Sequence, residues 1–150
     1  MLDAMMKFGA HRVDYLHHEP GRDPEAFAFY LRAGLSAGDR YSHEAKRQLY
    51  SGLDFINQHR QLKHLAGIYM DVDQLENLDR PAYQKMKSDM VNGMFRRVFV
   101  LDEAAIMGLP EANYDLLKLY VQTGGFELFT CKNGECLPLE LLRVLEPLGV

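Results

Sequence analysis

A chain of 150 residues, 47% hydrophobic and 25% charged, fits one domain that can bury its own core without disulfide or metal support. A net charge of -4 and a pI of about 5.8 exclude broad, non-specific adhesion to nucleic acid, which relies on many Lys/Arg–phosphate contacts. No apolar run approaches the ~18 residues that span a bilayer, and the first 25 residues lack a signal peptide's basic-then-apolar order. The expectation is a cytoplasmic protein that makes no use of a membrane.

In chain order, residues 1–24 read as an irregular or partly helical N-terminal extension, with "HHEPGRDPE" a loop rich in Pro, Gly and charge. "AFAFYL" (26–31) is a short apolar run of the kind that forms a buried strand. In "SHEAKRQLYSGLDFINQHR" the apolar positions Ala45, Leu49, Leu53 and Ile56 fall at helical spacing, and Ser42 stands ahead as N-cap. "HLAGIYMD" (64–71) reads as a second strand. "PAYQKMKSDMVNG" opens on Pro81 and closes on Gly93, the punctuation of a helix. "RRVFVLD" (96–102) is a third strand, "EANYDLLKLYVQTGG" (111–125) a helix closed by glycines, and "FELFTC" (126–131) a fourth strand. "PLELLRVLEPLG" (138–149) reads as a short apolar C-terminal helix. Cys131 and Cys136 flank "KNGE", whose Asn-Gly pair predicts a tight turn with the two thiols facing each other across a hairpin. In a reducing cytosol these are structural thiols, and two cysteines fall short of a four-ligand zinc site.

Strand and helix alternate four times. The fold class expected is α/β: three layers, a mostly parallel four- to five-stranded sheet with helices on both faces. Sites in such folds form at the carboxyl ends of strands, which here carry Arg32, Gly34 and Ser36; Asp71, Asp73 and Asp79-Arg80-Pro81; Asp102 and Glu103; and Thr130 and Cys131. Asp71-x-Asp73 has the spacing of a Mg²⁺ pair, but the glutamate such sites take from the first strand is replaced by Arg32, so a solvated acidic turn is expected. His17 and His18 lie beside Glu19 with His11 nearby, and nothing fixes their geometry, so no metal and no cofactor is expected. Arg32 and Arg80 either form an anion pocket or pair with Asp79, Asp102 or Glu103. Arg96-Arg97 reads as solvated surface.

The order of these pieces resembles the catalytic domain of serine site-specific recombinases, the resolvases and invertases. The family's first strand reads Tyr-x-Arg-Val-Ser, and this chain has Tyr30-Leu31-Arg32-Ala33-Gly34. In "IYMDVDQLENLDRPAYQKMKSDMVNG" the family's acidic strand end, Arg-Pro and following helix fall in step at Asp71, Asp79-Arg80-Pro81, Tyr83, Met86, Asp89 and Gly93. "VFVLDEAAIMG" stands where the family has Leu-Asp-Arg-Leu-x-Arg. The resemblance spans roughly residues 26–131 and implies a resolvase-like domain over 25–150 without a DNA-binding domain.

The departures fall on the chemistry. The family's serine attacks a DNA phosphodiester and holds the strand as a phosphoserine; Gly34 occupies that place. Arginines there offset charge that builds in the transition state, and losing one such donor can cost ~3 kcal/mol. Arg32 and Arg80 remain, while Glu103 and Ile106 replace two others. Ser36 is the candidate displaced nucleophile, two residues further along a chain that advances ~3.3 Å per residue. The resemblance with these losses implies no enzyme: an inactive domain whose relic positions are Arg32, Gly34, Arg80, Asp102 and Glu103. Such a domain would act as a protein-interaction or regulatory module, linked to a mobile element. It would self-associate or bind a protein partner and touch DNA weakly or indirectly. The alternatives are a DNA-cleaving subunit using Ser36, or a flavodoxin-like binder holding an anion at Arg32 and Arg80.

Overall fold

A computed structural model describes residues 11–16, 23–34, 43–72, 80–106, 110–132 and 135–139. The chain forms β1 (His11–Tyr15), β2 (Phe27–Ala33), α1 (His43–Gln58), a 3-10 turn (Leu62–His64) and β3 (Leu65–Val72). It continues through α2 (Pro81–Val91), β4 (Arg97–Val100), a second 3-10 turn (Glu103–Ala105), α3 (Pro110–Thr123), β5 (Glu127–Lys132) and β6 (Glu135–Leu139).

One six-stranded sheet runs β1-β3-β2-β4-β5-β6. Its four central strands are mutually parallel, and β1 and β6 add antiparallel edges. The expected mostly parallel α/β sheet is therefore present, widened by a strand on each side. The lead-in supplies β1, whose register runs from His11↔Asp71 to Tyr15↔Gly67. Its Arg12–Asp14 pair (2.8 Å) leaves charge on the outer edge, which discourages further strand pairing. The hairpin predicted around "KNGE" forms, with Cys131 and Cys136 in register. Ser42 lies outside the described residues, as does the expected C-terminal helix from residue 140 onward.

β3 is buried along all eight residues, and β2 along all but Arg32, as expected for parallel strands covered on both faces. Alternation divides their side chains. Phe27, Phe29, Leu31, Ile68 and Met70 pack with Ala45, Leu49, Phe55 and Ile56 of α1. Ala28, Tyr30, Tyr69, Val98 and Leu128 pack on the other face with Met86 and Met90 of α2 and Leu116 and Leu119 of α3. Helices thus cover both faces. Gly52 lets α1 approach closely: a Cβ there would overlap the Phe29 ring. Gly93 (φ 85°) and Gly124 (φ 75°) terminate α2 and α3 in the left-handed region.

The connections fix where a site can form. From β2 the chain passes through α1 to β3 on one side; from β3 it passes through α2 back across to β4 on the other. The order therefore reverses at β2, the kind of point at which open α/β sheets place ligands beyond the carboxyl ends of their strands. β2 and β4 pair only at Ala28↔Val98 and Phe29↔Phe99, whereas β2 stays paired with β3 through Ala33↔Val72.

Candidate functional site

Arg32 stands one residue before the end of β2, at this switch point. It is half-buried and in register with Asp71 of β3. Its carbonyl accepts a hydrogen bond from Gln48 Nε2 of α1 (3.2 Å). Gly34 N–H donates to Glu44 Oε2 (3.4 Å), and Glu44 Oε1 accepts from Gln48 Nε2 (3.1 Å). The first turns of α1 thus hold the chain as it leaves β2. Among the described residues, the nearest atom to a Cβ built on Gly34 is Glu44 Oε2 at 3.9 Å, an ordinary contact distance. Ser36, Asp73 and Asp79 lie outside the described residues.

Asp71 is not the solvated turn expected: it is 1% exposed. Its Oδ1 accepts from Ala82 N–H (3.0 Å), and its Oδ2 from Tyr83 N–H (2.9 Å) and Tyr30 Oη (2.9 Å). α2 has no side-chain cap from its own N-cap residue, Arg80, and β3 provides one instead. A negative charge at the positive end of a helix is favourable there. It also fills the place an anion would take.

Arg80 is 4% exposed. Its Nη1 donates to the Ala105 carbonyl (2.6 Å) and to Tyr30 Oη (3.5 Å), and its guanidinium lies 5.9 Å from the Tyr83 ring centre. Asp102 is exposed, and its Oδ1 and carbonyl accept from Ala104 and Ala105 N–H, shaping the 3-10 turn that delivers Ala105 to Arg80. Arg80 thus fastens α2, β2 and the turn after β4 together. Burial, and then the Asp71 charge, push the Tyr30 hydroxyl well above its ordinary range, with Arg80 opposing. Tyr30 therefore remains a neutral donor to Asp71. Ile106 is buried in the core.

The two candidate anion-binding arginines differ in burial. Arg32 remains half-exposed at the strand tip, while Arg80 is drawn inward. Sequence reasoning missed the Asp71 cap, although a tyrosine inside an apolar run announces a need for a hydrogen-bond partner. It also missed His64, whose Nδ1 lies 2.7 Å from Asp23 Oδ2 and whose Nε2 lies 3.1 Å from Glu25 Oε2. These three residues bring possible ligand atoms within 4.8 Å of one another. The carboxylates face different ring nitrogens, however, so the group closes on itself as a clasp between the turn before β2 and the turn before β3.

Among the described residues, no helix is long and apolar enough to cross a membrane. No protein-family model and no curated protein matches this sequence. The fold is similar to that in the crystal structure of the N-terminal catalytic domain of TP901-1 integrase, with a TM-score of 0.52 and 16% identity over 74% of this chain and 80% of that one. That likeness corrects the expectation that the chain is not an enzyme, because the neighbour whose fold it shares is itself a catalytic domain. What this chain adopts is the resolvase-like α/β fold of an integrase catalytic domain.

Proposed function

We propose that this chain is a DNA strand-transfer domain of the serine-recombinase type, working in the cytoplasm on the DNA of a mobile element. Ser36 is its nucleophile and Arg32 its phosphate-facing cation. The observation that carries this reading is the position of Arg32 at the switch-point end of β2, from which the chain runs through Gly34 to Ser36. Ser36 Oγ attacks the phosphorus of a phosphodiester, one P–O ester bond breaks, and the serine proton ends on the departing sugar hydroxyl. The phosphoserine conserves the bond energy for rejoining. Arg32 offsets negative charge on the non-bridging oxygens. Arg80 acts as a positioning residue, holding Tyr30 and the turn after β4 beside that tip.

Incubation with supercoiled plasmid, followed by denaturing electrophoresis, tests the reading. A covalent protein–DNA adduct is expected, absent in Ser36→Ala and reduced at least ~10²-fold in Arg32→Ala. Gly34→Ser, whose Cβ meets only Glu44 Oε2 at 3.9 Å among the described residues, is expected to raise adduct yield by placing a hydroxyl where the resembled family has one. No adduct from the parent chain, or an undiminished one from Ser36→Ala, overturns the assignment.

A second observation favours work in an assembly. Tyr114 (57% exposed) and Val121 (79%) lie two turns apart on one face of α3, and Tyr120 is 42% exposed. Large apolar side chains left exposed on one helix fit a protein partner or a second copy of the chain. Light scattering is expected to give a mass above that of one chain, reduced by Val121→Glu. A monomer at all concentrations, with no partner retained on purification, removes this second reading.

A further inference from the structure

A cavity of about 280 Å³ opens at the other end of the sheet, beneath the C-terminal turns of α1. Its lining includes Phe27 and Arg97, the first residues of β2 and β4. Five residue steps of β2 separate Phe27 from Arg32, roughly 17 Å of extended chain, so the cavity is remote from the site above. Its volume is near the lower end of the ~300–1,000 Å³ usual for small-molecule pockets.

We propose that this cavity is a binding site for a small aromatic carboxylate. The walls call for a flat ring. Phe55 and Phe99 stack nearly parallel (7°, 5.4 Å between centres), Phe129 and Ile56 add apolar surface, and offset stacking or edge contact suits such a lining. The charge comes from Arg97. Its guanidinium sits 4.7 Å from the Phe129 ring centre, and its Nε is buried without a hydrogen-bond acceptor among the described residues. The nearest carboxylate, Glu127, is 3.9 Å away and 67% exposed, a loose partner that a bound anion would replace. The pocket's own acid, Glu25, is engaged by His64 Nε2 at 3.1 Å. An incoming carboxylate meets the charge of the guanidinium that lines the cavity while its ring covers the phenylalanines. The sequence reading of Arg96-Arg97 as solvated surface holds for Arg96, which is exposed, but Arg97 is half-buried.

Calorimetric titration of the full chain with benzoate, acetate and benzyl alcohol tests the site. Benzoate is expected to bind near the millimolar range, with acetate and benzyl alcohol at least ~10-fold weaker, because each lacks half of the recognised chemistry. Arg97→Gln is expected to weaken benzoate ~10-fold or more, and Glu127→Gln to strengthen it. The second variant decides the matter if the first fails to fold. NMR shift changes on benzoate addition are expected at Phe55, Phe99 and Phe129. Benzyl alcohol binding as well as benzoate, unchanged affinity in Glu127→Gln, or shift changes confined to the Arg32 end would each overturn the proposal. So would contacts from residues 140–150 to the Phe99 and Phe129 rings in the ligand-free chain, since the pocket would then be filled from within.

Discussion

Asp71 does more for this protein than its place in the sequence suggests. Its carboxylate meets two backbone N–H groups at the start of α2 and the Tyr30 hydroxyl, all in the interior. Asp71→Ala leaves those three donors without an acceptor, at ~1–3 kcal/mol for each one stranded. A fall of roughly 3 kcal/mol or more in unfolding free energy is expected by urea titration, with Asp71→Asn losing less because one acceptor remains. A loss under ~1 kcal/mol would show that water reaches this end of α2. The acid itself was legible at the strand end, and so was Pro81 as the helix start. Their meeting was not, because the residues between them give no sign that α2 folds back onto β3. Arg32 and Arg80 illustrate the same limit. Both were visible as cations near a strand tip, but only the packing of Ala105 and Tyr30 around Arg80 reveals that it faces inward.

At the scale of elements, the central strands were legible because parallel strands buried on both faces must be continuous apolar runs. The edges were not. β1 reads HRVDY, five residues with little apolar content, and β6 reads ECLPL, where Pro138 is tolerated because an edge strand need not use every N–H. Besides its pairing with β3, β1 is held by a contact far away in sequence. Asp89, buried on α2, accepts from Tyr15 Oη (2.8 Å) and Tyr69 Oη (2.7 Å) and pairs with Lys85 (3.4 Å). Tyr15 is 40% exposed and can turn to water, but Tyr69 is fully buried and cannot. Asp89→Ala is therefore expected to cost ~1–3 kcal/mol, mostly through Tyr69, while Tyr15→Phe costs ~0.5–1.5 kcal/mol. Both should speed amide hydrogen exchange across 11–15 with little change in β2. Exchange that accelerates equally in β1 and β2 would mean that Asp89 supports the whole sheet and not its edge.

Across the whole molecule, the sheet divides the core into two apolar layers, and one of them is unusually rich in buried phenols. Tyr30, Tyr69 and Tyr83 all lie in the layer beneath α2 and α3. Burial is the largest cause that raises each of their pKa values, and the charges of Asp71, Asp89 and Asp115 respectively push the same way. Tyr15 is raised as well, by burial and by Asp89. A tyrosine raised in the folded state keeps its proton when the unfolded chain has begun to lose its own. Above pH ~10 the unfolded state therefore binds fewer protons, and stability falls as pH rises. Below that pH this contribution is fully present and flat. Stability is thus expected to drop steeply above about pH 10. Absorbance near 295 nm should show the exposed members of the chain's 8 tyrosines ionising first, and the Tyr30, Tyr69 and Tyr83 signal appearing only with loss of the far-UV helical spectrum. A single smooth titration of all the tyrosines near pH 10, with the fold retained, would mean that solvent reaches this layer. The Tyr30–Asp71–Arg80 network that positions the tip of β2 would then have lost the dry surroundings on which its geometry depends.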